Sequence, residues 1–300
     1  MNIKNISSEL SERFVEEELA EHWIVDETLD SFLRLMDHLT ISTNMYHHFM
    51  EAFLKVLDKF NSSELVIVDL GSGVAWTSAI MANNPKVKKV YSIEPSKIRH
   101  SSARNIFKHM DVDLSKIDLL EGTFTDFMIK KDIRVDLIVM CSSIHHCMDR
   151  DLPDLFRQVK YYLKDETTYS YKDYSNNEII KKDISRVLLA NEHFLNLSPL
   201  LFRVLAYFGR LHFLKKDKSK IKHRPGNWNP PDEWDGEHFR TKRQLLKIFK
   251  SQSFKQSIFI QKENLNDKDG RYKDFYQKLI NLFGLKSLSH YFAILEEHEE

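Results

Sequence analysis

The sequence carries no surplus of charge: 44 Lys and Arg stand against 44 Asp and Glu in 300 residues. A chain without a basic excess is not built for general binding to nucleic acid or to an anionic membrane surface. Cysteine is scarce. The two present, Cys141 and Cys147, fall in one short segment, which argues against a disulfide framework and for a reducing compartment. That segment, CSSIHHC, pairs its cysteines with two histidines, but the spacing does not match zinc modules and no second cluster follows, so no metal site is expected. A clean apolar run is missing too. The start, MNIKNISSELSERFVEEELA, is polar and acidic and lacks the apolar core of a secretory signal. The greasiest stretch, 194–214, is broken by Pro199, Arg203, Gly209, Arg210 and His212, and reads as buried or lid helices rather than a membrane span. There is no internal repeat and no low-complexity tract. These absences point to a soluble cytoplasmic protein, and 42% hydrophobic content over this length is enough for a sizeable core.

What is present has a clear order. The first sixty residues read as helical: Leu29, Phe32, Leu33, Met36 and Leu39 share one helical face, and Met45, Phe49, Phe53, Val56, Leu57 and Phe60 share another. Asp26 or Thr28 suits the first N-cap, and Thr43 or Asn44 the second. From Leu65 strands and helices alternate. LVIVDL is a continuous apolar run, as in a strand covered on both faces. VKKVYSIEP, KIDLLEG and VDLIVMCSS follow as strands, and SKIRHSSARNIFKHM and DLPDLFRQVKYYL as helices, the former burying Ile98, Ala103, Ile106 and Phe107. ETTYSYKDY is a weak fifth strand. Repeated βα units predict an α/β fold with a doubly wound, mostly parallel sheet. The rhythm breaks over 174–239, which is too long for an ordinary loop and reads as an insertion. TKRQLLKIFKSQ and FKQSIFIQK then resume the sheet, and RYKDFYQKLINLF and SHYFAILEE close it as helix and strand.

The most informative stretch is LVIVDLGSGVAWTSAIM. Two glycines in a strand-to-helix turn let a ligand approach the backbone, and the helix start offers unpaired N–H groups. The turn is Gly71-Ser72-Gly73-Val74-Ala75-Trp76. Trp76 stands where a dinucleotide fingerprint wants Gly or Ala, and no Gly-Lys-Ser/Thr follows as a Walker loop needs. Asp69 precedes the turn. A carboxylate there sits badly beside a pyrophosphate but suits an ammonium group. Glu94 ends the next strand, where an acidic side chain can accept bonds from ribose hydroxyls. A ribose and an amino-acid head group together suggest S-adenosylmethionine.

At this point the chain resembles the class I S-adenosylmethionine-dependent methyltransferases. VDLGSGVAW is similar to the first motif of that family, YSIEPS to the second, LLEGTF to the third and VDLIVMCSSIHHCMD to the fourth. The resemblance implies a seven-stranded Rossmann-like sheet and S-adenosyl-L-methionine as cofactor. It implies that Gly71, Ser72 and Gly73 pass under the methionine portion, with Asp69 on its ammonium group and Glu94 on the ribose. Gly122, Thr123 and Phe124 would border the adenine, and Cys141 and Ser142 the approach to the sulfonium. Three departures stand out. Ala75 replaces a frequent third glycine, a change expected to favour the helix. Thr123 replaces a frequent acidic residue, for which Asp126 could substitute. LKDETTYSY replaces the usual Pro-Gly-Gly turn before the fifth strand. The layout expected is an N-terminal helical cap over 1–60, a cofactor-binding core over 61–173, a lid and substrate insertion over 174–239, and the rest of the sheet over 240–300.

Methyl transfer depends on orienting the acceptor and excluding water, with a base needed only where the acceptor loses a proton. His146 and His145, just after the fourth strand, are the candidate catalytic residues, against packing or backbone bonding as the plain alternative. Tyr46 and His47 on the N-terminal helix, and Trp228, Trp234 and His238 in PGNWNPPDEWDGEHFRT, are candidates for the substrate pocket. The acceptor expected is a small molecule methylated on oxygen or nitrogen. RNA or protein methylation is the rival reading, supported by the basic run KKDKSKIKHR alone. A non-catalytic partner subunit is the other, supported by Ala75 and Thr123. Nucleic acid and membranes are not expected partners, and a homodimer stays open.

Overall fold

A strand buried on both faces needs helices above and below it, and that demand organises the chain. The computed structural model describes residues 23–60, 64–129, 133, 135–163, 167–173, 178–184, 187–195, 240, 242–263 and 288–297. Helix α1 (Leu29–Asp37) is capped by Thr28, whose hydroxyl accepts from the Ser31 N–H. A π-helical turn (His38–Ser42) leads to α2 (Met45–Leu57). Strand β1 (Leu65–Leu70) then opens the sheet, followed by α3 (Trp76–Ala82), β2 (Val87–Ile93), α4 (Lys97–His109), β3 (Ile117–Leu120), β4 (Leu137–Cys141) and α5 (Leu152–Tyr162). Beyond these come β5 (Thr167–Asp173), β6 (Glu178–Ile184), β7 (Val187–Leu195), α6 (Lys242–Ser251), β8 (Phe254–Glu263) and β9 (Leu288–Glu297).

The main sheet has the order β3-β2-β1-β4-β7-β9-β8. The first five strands are parallel, and β9 runs antiparallel to both β7 and β8. Alternation along the strands sorts the side chains between two cores. Ile67, Leu137, Val139, Val187 and Leu189 pack with α2, α3 and α4 on one face. Val68, Ile138, Met140, Leu188 and Ala190 pack with α5 and α6 on the other. The sheet is therefore doubly wound, as the alternation of elements predicts.

Three expectations change. The fifth parallel strand is Val187–Leu195, inside the stretch assigned to the insertion, and not ETTYSYKDY. Val187, Leu188, Leu189 and Ala190 form an unbroken buried run, which an interior parallel strand requires. Thr167–Asp173 instead pairs antiparallel with Glu178–Ile184 in a separate two-stranded sheet. Along α1 and the π-helical turn after it the buried line is Ser31, Leu35 and Leu39, spaced four apart, and Leu29 and Leu33 face outward. On α4, Ile98 is exposed while Ala103, Ile106 and Phe107 are buried, because Ile98 lies on a different face of the helix from those three. All six predicted core positions from Met45 to Phe60 are buried.

The N-terminal helices are tied down by specific contacts. The Val25 N–H donates to Ser102 Oγ at 3.1 Å, and Asn105 Nδ2 returns a bond to the Val25 carbonyl at 2.9 Å. Phe32 stacks on His109 with ring centroids 4.9 Å apart. Among the described residues no helix is long and apolar enough to cross a membrane.

Candidate active site

Strand order reverses at β1, with β2 on one side and β4 on the other, so a crevice opens beyond their carboxyl ends. Asp69, two residues before the turn, is fully buried and sits in register with Ser92 of β2 and Val139 of β4. Thr77 and Ser78 hydroxyls both donate to its Oδ2 at 2.6 Å. Behind them, Ser78 bonds to Ser92 and Ser92 to Ser72, which continues a chain of buried hydroxyls back to the glycine turn. The other carboxylate oxygen, Oδ1, is buried with no hydrogen-bond partner. Burial pushes the Asp69 pKa up to about 6, against hydrogen bonds from Ser78 and Thr77 that pull it down.

The turn shows why its glycines stand where they do. Gly71 has φ +73°, and a Cβ there would lie 2.7 Å from the Ser143 Cβ and 3.1 Å from the Phe124 ring. Ser143 in turn donates to the Leu70 carbonyl at 3.0 Å, which seals the loop after β4 against the end of β1. Gly73 has φ +58° but open space around it, which suits close approach of a ligand. Ala75 corrects an expectation. It is the residue preceding α3 and holds φ +59°, so the alanine bears left-handed strain there instead of favouring the helix.

Trp76 is also explained. Tyr46 stacks on it at 6.4 Å between centroids, and Phe49 meets it edge-on at 5.4 Å. The indole that spoils a dinucleotide fingerprint thus anchors α2 to the first residue of α3. Of the histidines on α2, His47 is exposed and His48 is buried within 3.2 Å of Asn44 Nδ2.

Glu94 is buried beyond β2. Its Oε2 accepts from the Gly73 N–H at 3.0 Å and its Oε1 from the Ser96 N–H at 3.1 Å. A carboxylate has about four acceptor positions, so further donors can still bind it. After β3, the Thr123 hydroxyl accepts from the Asp126 N–H at 3.1 Å while the Thr123 N–H donates to the Asp126 carbonyl at 2.9 Å. Thr123 therefore shapes this turn, and Asp126 is exposed. At Gly122 a Cβ would meet the Phe127 Cβ at 2.7 Å.

Past β4, Cys141 and Ser142 are half-buried. Ser142 has φ +51°, and its Oγ is buried without a hydrogen-bond partner. His145 and His146 occupy a single 3-10 turn with ring centroids 4.1 Å apart, His145 the more buried. Cys147 is a poor nucleophile, because burial pushes its thiol up to about 12.

A sequence profile of the methyltransferase domain matches residues 67–166, the stretch that holds the glycine turn, Glu94 and the histidine turn. Residues 67–166 form a methyltransferase domain. The cofactor implied by the resemblance of its motifs is S-adenosylmethionine. No match was found among curated proteins. The methyltransferase is similar in fold to the mycolic acid cyclopropane synthase CmaA1, at 13% identity, with a TM-score of 0.55 and coverage of 97% of this chain and 95% of that one. It is similar to the cyclopropane synthase MmaA2 of Mycobacterium tuberculosis at 14% identity, TM-score 0.50, with 97% and 95% coverage. The YcgJ protein of Bacillus subtilis gives 14% identity and TM-score 0.50, over 85% of this chain and 100% of its own.

The residues of this methyltransferase fit that cofactor on two counts. The orphaned, fully buried Asp69 oxygen suits an ammonium group, and the Gly73 surroundings leave room where a side chain would intrude. The structure brings Asp69, Gly71, Ser72, Gly73, Glu94, Phe124 and the loop after β4 to one end of the parallel sheet. Tyr46 reaches the same end through Trp76. Trp228, Trp234 and His238 lie outside the described residues. Sequence reasoning missed Thr77 and Ser78, which hold Asp69, Ser92, which links Ser78 to Ser72, and Ser143, which seals the loop. Two hydroxyls in the first turn of a helix after a glycine loop were the available signal for Thr77 and Ser78.

Proposed function

We propose that this methyltransferase acts on a small-molecule acceptor and methylates it on oxygen or nitrogen. The observation that carries the reading is the seat of α2: Tyr46 and Phe49 fix it on Trp76, next to the cofactor turn, so helical cover lies beside the site. A covered site suits a small acceptor better than a folded macromolecule.

Bound S-adenosylmethionine supplies an electrophilic methyl group on a sulfonium. Asp69 Oδ1 accepts the ammonium of its methionine portion, and the buried hydroxyls of Thr77 and Ser78 keep that carboxylate aimed. Gly71, Ser72 and Gly73 present backbone without side-chain bulk. Glu94 takes the ribose hydroxyls while its bonds from Gly73 and Ser96 hold the turn. Gly122, Thr123 and Phe124 border the adenine. Cys141 and Ser142 line the approach to the methyl group. His146, with His145 against it, receives the proton an oxygen or nitrogen acceptor sheds, so that the acceptor lone pair is free to attack. Tyr46 and His47, with Trp228, Trp234 and His238, are proposed to contact the acceptor.

Calorimetric titration with S-adenosylmethionine and S-adenosylhomocysteine tests the cofactor site. Incubation of the protein with methyl-labelled cofactor and a fractionated cell extract tests the acceptor. Label in the small-molecule fraction is expected. Label confined to RNA or protein would refute the reading, and a folded protein that binds neither ligand would refute the cofactor assignment.

A further inference from the structure

Arg240 is a buried cation far along the chain from any cofactor motif, and its guanidinium makes four hydrogen bonds to one loop. Nη1 donates to the Ile144 carbonyl at 3.2 Å and Nη2 to the Cys147 carbonyl at 2.7 Å. Nε and Nη2 both donate to Asp149 Oδ1, at 2.9 and 2.6 Å. The two carbonyls bracket His145 and His146. The turn between them carries backbone bonds from His146 N–H to the Ser143 carbonyl at 3.0 Å and from Cys147 N–H to the Ile144 carbonyl at 2.9 Å. Arg240 adds a rigid planar fork that grips both ends of the turn.

We propose that Arg240 is a positioning residue for methyl transfer, fixing the His145–His146 turn beside the cofactor. The inference rests on the reading that acceptor chemistry takes place at that turn. The grip comes from outside the loop. Arg240 is buried, while the carboxylate of its partner Asp149 stays more than half exposed. Arg240 also follows directly on the 174–239 segment, which contains three of the residues assigned to the acceptor. Lysine cannot reproduce the grip, because an ammonium is a point donor without the fork geometry that reaches two carbonyls and a carboxylate at once.

The test uses the full chain with Arg240→Lys and Asp149→Ala, the latter removing the Oδ1 that accepts both Nε and Nη2. The imidazole resonances of His145 and His146 are followed by NMR in the absence of ligand. S-adenosylhomocysteine affinity is measured by calorimetry, and methyl transfer to the small-molecule fraction by label incorporation. In both variants the two histidine signals are expected to shift and broaden. Transfer should fall by more than about tenfold, as when a group leaves its productive geometry. S-adenosylhomocysteine affinity should stay within about threefold, because nothing that holds the glycine turn is altered. Unchanged histidine signals in folded variants, even with a lower melting temperature, would overturn the proposal and leave Arg240 a structural staple. If Arg240→Lys does not fold, Asp149→Ala decides alone, since that side chain is more than half exposed. Failure of the wild type to bind S-adenosylhomocysteine would instead sink the cofactor reading, which the ligand-free NMR comparison does not depend on.

Discussion

Asp69→Asn should make the ligand-free methyltransferase more stable and its cofactor site worse. The Asp69 pKa stands at about 6 in the fold against an ordinary 3.8, chiefly because burial strips its carboxylate of water. Two units correspond to about 3 kcal/mol between protonation states, an order-of-magnitude figure. The folded value is the higher one, so the group's stabilising contribution is complete below about pH 4 and lost as pH rises through about 6. Asparagine keeps an oxygen for the Thr77 and Ser78 hydroxyls and removes the charge. The variant should therefore gain about 1–3 kcal/mol over wild type at pH 8 and nothing at pH 4. Its amide N–H₂ would face the ligand's ammonium, and losing a charged hydrogen bond costs about 1.5–3 kcal/mol, or about 10–150-fold in S-adenosylhomocysteine affinity. Wild-type affinity should itself rise with pH across the same window, because the ammonium needs the ionised carboxylate. Urea unfolding at both pH values and calorimetry at pH 8 check this. A variant that is less stable at pH 8 and binds S-adenosylhomocysteine as tightly as wild type would refute the assignment of Asp69.

Gly71→Ala and Gly73→Ala should differ although both adopt positive φ. Each pays about 1–2 kcal/mol of left-handed strain, but only Gly71→Ala also drives a Cβ to 2.7 Å from Ser143, so urea unfolding should show the larger loss there. Trp76→Ala should cost about 3–5 kcal/mol. It should also make the 23–60 region far more sensitive to limited proteolysis, because the indole is the aromatic seat of α2.

The sheet was legible wherever local pattern and tertiary demand agreed. LVIVDL and VDLIVMC are greasy on both faces, and both became interior strands. The fifth strand was misplaced because TTYSYKD and VLLANEHFL look alike in β-propensity. Only the second has the run of side chains that two helical layers can bury, and choosing it requires knowing what lies above and below. The cofactor motifs were readable because each is a local constraint at a strand end. Ala75 misled because propensity describes helix interiors, and its left-handed φ is invisible in sequence. Trp76 looked like a defect in a fingerprint until its partner helix was in place. Arg240 left no local trace of its role, since its partners lie 91 to 96 residues earlier in the chain.

The position of β9 sets a timetable for folding. Residues 288–297 slot between β7 and β8, so the growing chain presents two strands that cannot meet until a third is made. Until then β7 displays an open edge of unpaired amides and carbonyls beside a finished parallel core. An open edge of this kind recruits strands from other chains, and the nascent protein stays exposed to that risk until residues 288–297 are made. β9 thus acts as the keystone of the sheet, and a lesion there would be felt first as aggregation during production, well away from the chemistry at the opposite side of the strand order.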